Sequence, residues 1–89
     1  MTQVEQERMR AQTAFAVQEG KRWREEKANE FKTLPIGTVV AINAVSGFYV
    51  TAASDLEAMD KFQQAFGKGT TLAYVFEIGR PMFIGGGIA

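Results

Sequence analysis

The stretch Leu34-Pro35-Ile36-Gly37-Thr38-Val39-Val40-Ala41-Ile42 decides how this chain is read. Pro35 disfavours helical backbone at Leu34, and Gly37 takes backbone angles that other residues avoid, so the stretch ends whatever helix precedes it. Thr38 to Ile42 is rich in Val and Ile and predicts a first strand. Upstream, the residues are charged and dominated by Gln, Glu, Arg and Ala, all good helix formers. The chain therefore divides into a charged amphipathic helical arm, residues 1–34, and a small mainly antiparallel β-β-α-β-β unit, residues 35–89. The fold class is α+β.

Within the arm, Thr2-Gln3-Val4-Glu5 has the spacing of a capping box, and helix is predicted from about residue 3. Glu5 with Arg8, and Glu7 with Arg10, are acid-first pairs three apart that add a few tenths of a kcal/mol each. Gly20 costs roughly 1 kcal/mol relative to Ala in a helix interior. It is either tolerated or ends one helix before a second begins near Lys21. Phe15, Trp23 and Phe31 recur every eight residues, so each is turned by about 80° from the last. Such a stripe spirals, which suits a helix wrapped on a globular body better than a coiled-coil seam. The first half has a cleaner face in Val4, Ala11 and Phe15.

Downstream of the first strand, Ser46-Gly47 marks a turn and Phe48 to Ala53 a second strand, giving a hairpin. Ser54-Asp55-Leu56-Glu57 is a second capping-box match. Leu56, Met59, Phe62 and Phe66, with Ala58 and Ala65, form one apolar helix face, and Gly67 is placed as a left-handed C-cap. Thr71 to Ile78 is a third strand, with Leu72, Tyr74, Phe76 and Ile78 on one face and Ala73, Val75 and Glu77 on the other. Gly79-Arg80-Pro81 reads as a turn and Met82 to Ile84 as a short edge strand. The tail from Gly85 to Ala89 reads as flexible. The first two strands are apolar on both faces, whereas a sheet with one wet face alternates cleanly. One central helix covers one face. The other needs the N-terminal helix, a second subunit or a foreign partner.

The pieces Gly37-Thr38-Val39-Val40-Ala41-Ile42 and Ser54-Asp55-Leu56-Glu57-Ala58, set in the layout from Gly37 to Ile78, resemble small uncharacterised prokaryotic ββαβ domains. The resemblance covers under half the chain. It implies a fold and carries no role, and the segment from Ile78 onward has no counterpart in it.

Composition narrows the function classes. The chain has 89 residues, no Cys and no His. There is thus no thiolate nucleophile, no disulfide framework, and neither the commonest metal ligand nor the commonest acid–base side chain. The formal net charge is zero, unlike the basic excess of general nucleic-acid binders. Asp55, Glu57 and Asp60 are not read as catalytic acids, since Asp55 and Glu57 sit where a helix start favours negative charge. Tyr49 and Tyr74 read as packing residues, and Arg80 as an exposed turn charge. The Gly85-Gly86-Gly87 run lacks the Lys-Ser or Lys-Thr of a phosphate loop. No catalytic residue, metal or cofactor is expected. No apolar run reaches the ~20 residues of a membrane span. The polar N-terminus lacks a signal-peptide core, so the expected location is cytoplasmic.

The sequence points first to a non-enzymatic interaction module that self-associates as a dimer or higher oligomer. Phe15, Trp23, Phe31, Met82, Phe83 and Ile84 are its candidate partner-binding residues. A second reading is a nucleic-acid-linked regulator of antitoxin or repressor type, carried by Lys21, Arg22, Trp23 and Arg24, where bases flank a stacking aromatic. Glu19, Glu25 and Glu26 would repel phosphate there, which disfavours nucleic acid as a partner. A third is a small inhibitor or adaptor that docks on a larger protein.

Overall fold

The fold was obtained as a computed structural model, which describes residues 3–67, 72–80 and 83–88, with the backbone alone at 3–10, 83, 87 and 88. Thr2, Thr71 and Met82, with the first capping box, lie outside the described residues. The elements run α1 (Gln3–Glu26), α2 (Ala28–Phe31), β1 (Val39–Asn43), β2 (Tyr49–Ala52), α3 (Asp55–Phe66), β3 (Leu72–Glu77) and β4 (Phe83–Ile88). The protein is α+β, with a long N-terminal helix, a further helix, and one four-stranded antiparallel sheet in the order β2-β1-β3-β4.

Period-two alternation sets the two sides of the sheet. On one side, Val39, Ala41, Ala52, Ala73 and Val75 meet Ala58 and Phe62 of α3. On the other, Val40, Ile42, Tyr74 and Phe76 form a second cluster with Phe31, edged by Val17 and Trp23. Val40, Ile42, Tyr74 and Phe76 are the floor under the N-terminal helix, and all are essentially inaccessible to water. The chain's own α1 and α3 therefore cover the two faces. Of the covers expected for the second face, the N-terminal helix, a second subunit or a foreign partner, the chain's own helix is the one in place, and the arm shares a core with the sheet.

Helix α1 lies on β3 and β4 and touches β1. It runs unbroken through Gly20. The interruption falls instead at Lys27, whose ψ of 14° departs from helical values before α2 resumes. Gly20 serves close approach: a Cβ there would sit 2.1 Å from Tyr74 Cγ. Ala16 and Gly20 thus form the sheet-facing strip, one turn apart. This corrects the expected face for Ala11 and Phe15; the Val4 side chain lies outside the described residues. Ala11 is exposed and Phe15 is 44% exposed, because small residues, not Phe15, let the helix settle on the strand.

The glycine tail is a second correction. Gly85, Gly86 and Gly87 pair with Val75, Tyr74 and Ala73 as part of β4, with a bulge at Val75/Phe76. Gly86 faces α1, where a Cβ would meet Val17 Cγ2 at 3.0 Å. Glycines there let the helix and the strand lie close.

The hairpin turn is closed by Asn43, whose side-chain oxygen accepts the amides of Val45 and Ser46 at 3.0 and 3.2 Å. Gly47, at φ +82°, occupies a region other residues avoid. It also makes room for the Trp23 ring, 2.8 Å from where its Cβ would lie. Phe48 falls outside β2 and is largely exposed. Ser54 caps α3 by accepting the Glu57 amide at 3.2 Å. Leu56, placed by the sequence on the buried face, is 80% exposed. It lies about 120° round the helix from Phe62, so Ala58, Met59, Phe62 and Phe66 carry the packing. Ala65 is likewise exposed. Gly67 has φ +95° with ψ 158°, an extended glycine conformation rather than the left-handed helical one.

Candidate functional site

Two features of the described surface stand out, one backbone and one side-chain. The backbone feature is the outer edge of β4. The sheet order leaves β2 and β4 as edge strands. An edge strand presents unpaired N–H and C=O groups, and proteins blunt such edges with short strands, charges or prolines. The β2 edge is four residues long, and Lys61 of α3 donates to its Thr51 carbonyl at 3.0 Å. The β4 strand is six residues long and reads Phe-Ile-Gly-Gly-Gly-Ile, with no charge and no proline. Ile84 is 46% exposed there. On the face opposite α1, Gly85 has open space where a side chain would stand. Its neighbouring helix α3 lies over β2 and β1 instead.

The side-chain feature is a pocket of about 210 Å³ where the end of α1 and the segment of α2 meet the end of β3. Phe31, Phe76 and Ile78 are its apolar lining, with Arg24 and Lys32 at its margin. The Arg24 guanidinium lies over the Phe76 ring at 4.2 Å from its centroid, and Nη2 donates to the Arg80 carbonyl at 2.7 Å. These contacts fix its position through cation–π attraction and one charge-assisted hydrogen bond. Phe31 is held by edge-on contacts with Tyr49 and Phe76, at centroid distances of 5.0 and 5.3 Å.

The three spiralling aromatics of the arm separate in the structure. Phe31 is buried and Trp23 half-buried, while Phe15 faces outward. The Trp23 indole Nε1 donates to the Ala44 carbonyl at 3.0 Å, tying α1 to the hairpin turn. Of the strand candidates, Phe83 and Ile84 lie in β4.

The basic cluster does not form one platform. Arg22 donates to Glu19 at 2.7 Å and to Glu26 at 3.0 Å. The Glu19 hydrogen bond, the largest influence, holds the Arg22 guanidinium above its ordinary pKa. Arg24 turns to the pocket, and one face of Trp23 is taken by Arg22 at 4.4 Å. Lys21 is exposed. These partners are unlike the continuous basic groove of single-strand binders.

Two acids of α3 fill structural roles. Asp55 accepts the Leu56 amide at 3.0 Å, and Glu57 pairs with Lys61 at 3.4 Å. Arg80, read as an exposed turn charge, pairs with Glu77 at 2.7 Å. Burial is the main influence pushing the Tyr49 phenol above its ordinary pKa, aided by Glu30 at 3.4 Å. Among the described residues, no group of three or more acids, His or Cys is placed to hold a metal ion. No described helix is long and apolar enough to cross a membrane. The pocket was missed by sequence reasoning because its members come from the end of α1, the α2 segment and the distant end of β3. Compared with known proteins, the chain matches no family model, no curated sequence and no solved structure.

Proposed function

We propose that the protein is a non-enzymatic interaction module that self-associates through the outer edge of β4. The observation that carries this reading is the contrast between the two sheet edges. One is short and guarded by Lys61, and the other is six residues long with no charge or proline. A strand without charges meets no like-charge repulsion when it pairs antiparallel with its own copy across a two-fold axis. Main-chain hydrogen bonds supply the attraction, as in strand addition generally. This moves the expected interface from the sheet face, which α1 occupies, to the sheet edge. A six-residue strand spans about 20 Å, small beside the ~800 Å² that each partner buries in a standard interface. The dimer is accordingly a weak one, with dissociation in the micromolar range.

Gly85→Lys is the test. Gly85 has room for a side chain, so a lysine is accommodated without disturbing the monomer, and it places the device that natural edges use against pairing. Light scattering from about 10 to 500 μM is expected to give a rising mass for the wild-type chain and a constant monomer mass for the variant. A wild-type chain that stays monomeric, or a folded variant that associates as before, refutes the reading. A monomer that instead binds mixed DNA and RNA in a salt-dependent way would replace it with the regulator reading.

A further inference from the structure

We infer that the pocket between α1, α2 and the end of β3 binds a small organic monocarboxylate with an apolar body. The inference is independent of the edge-pairing reading.

Charge pairing across the molecule is the first support. Arg22, Lys27, Lys61 and Arg80 each have a carboxylate partner within 4 Å. Arg24 and Lys32, both at the pocket, have none among the described residues. Two cations without a carboxylate partner among the described residues thus line one hollow.

Pre-organisation is the second support. Arg24 is clamped between the Phe76 ring and the Arg80 carbonyl. Only one of its five N–H donors is committed in that hydrogen bond, and the guanidinium edge matches a carboxylate in shape and spacing. Its position does not have to be bought with side-chain entropy when the anion arrives.

The lining fixes the rest of the ligand. Ala28 and Ile78, the half-exposed apolar residues of the lining, offer no polar side-chain atom, so the anion must carry an apolar portion that displaces water from them. A bare phosphate would keep its hydration against such a floor. The volume of about 210 Å³ lies below the ~300–1,000 Å³ typical of drug-sized sites. The match is a ligand of benzoate size. Arg24 and Lys32 hold the carboxylate, and the body rests on Ala28 and Ile78.

Two-dimensional NMR of the full-length labelled chain tests this with three probes: benzoate, benzyl alcohol and acetate. Benzoate is expected to shift the Ile78 methyls and the Gly79 amide saturably, with a Kd of about 1 mM or tighter. Benzyl alcohol has the body without the charge, and acetate the charge without the body. Each is expected to bind at least about tenfold more weakly. Arg24→Gln and Lys32→Gln are each expected to weaken benzoate about threefold or more. Lys32 is exposed, so its variant keeps the fold even if the Arg24 variant does not, and the Trp23 indole N–H resonance reports folding in both. Benzoate shifts that scatter and do not saturate, equal responses to benzoate and benzyl alcohol, or unchanged affinity in a folded Lys32→Gln variant each overturn the inference.

Discussion

Gly20→Ala sets two effects of known size against each other, and the structure decides between them. In an isolated helix the substitution is favourable by about 1 kcal/mol, since alanine loses less backbone entropy than glycine. In the folded protein the new Cβ would lie 2.1 Å from Tyr74 Cγ and 2.2 Å from Tyr74 Cβ. Carbon atoms prefer about 3.6 Å, so the shortfall is roughly 1.5 Å. The obstructing atoms are at the root of the side chain, not its flexible end. Tyr74 is buried in β3, between β1 and β4, so it has nowhere to go. Helix α1 must rise off the sheet and loosen Ala16, Val17 and Trp23 together. Overpacking costs typically about 1–3 kcal/mol, and a clash of this depth belongs at the upper end. Set against the helix gain, the net loss is about 2 kcal/mol. For a domain of this size that lowers Tm by about 8–16 °C. Thermal and urea unfolding followed by circular dichroism measure it. A peptide of residues 3–26 carrying the same change is expected to become more helical. If Gly20→Ala leaves the whole protein as stable as before, or stabilises it by the peptide's increment, α1 does not rest on Tyr74 and the packing argument fails.

The remaining predictions concern single groups. Tyr49 holds its proton above the usual tyrosine value of about 10. That stability is fully present below pH ~10 and is lost as pH climbs through the raised folded-state value. The wild-type chain is expected to lose stability relative to Tyr49→Phe as urea midpoints are followed from about pH 8 to pH 11, and parallel profiles would contradict this. Ser54→Ala removes the oxygen that accepts the Glu57 amide and is expected to cost about 1 kcal/mol. A change within experimental error would mean that α3 is capped by another group.

Much of the sheet was legible because its side chains alternate. Tyr74 and Phe76 against Ala73 and Val75 could be assigned to opposite faces from spacing alone, and the structure places them in separate clusters. The start of α3 was legible because Ser54 sits three residues before Glu57, and the cap bond forms at that spacing. The packing of α1 was not, because its contact strip is made of Ala16 and Gly20, which carry little hydrophobic signal. Large residues drew the reading to Phe15 instead. The β4 strand was read short for the same reason: three glycines leave no side-chain pattern, and their role appears only once Val17 is seen above Gly86. Leu56 misled because apolar residues at a helix start match a buried face in sequence while pointing away from it. Phe31 was expected to dock on a sheet, of its own subunit or of a neighbour, and it is buried against its own. Arg24 was read with its neighbours in sequence, whereas its contacts are to Phe76 and Arg80, over fifty residues away.

The central claim is that α1 covers the second face of its own sheet, with Trp23 seated on the hairpin turn. The most direct measurement is an isotope-filtered NOE experiment on a dilute mixture of labelled and unlabelled chains. The account predicts strong contacts from the Trp23 ring to the Gly47 α-protons within a single labelled chain, together with slow exchange of the indole N–H. A Trp23 ring that shows those contacts only between chains, or none at all with rapid indole exchange, would contradict it.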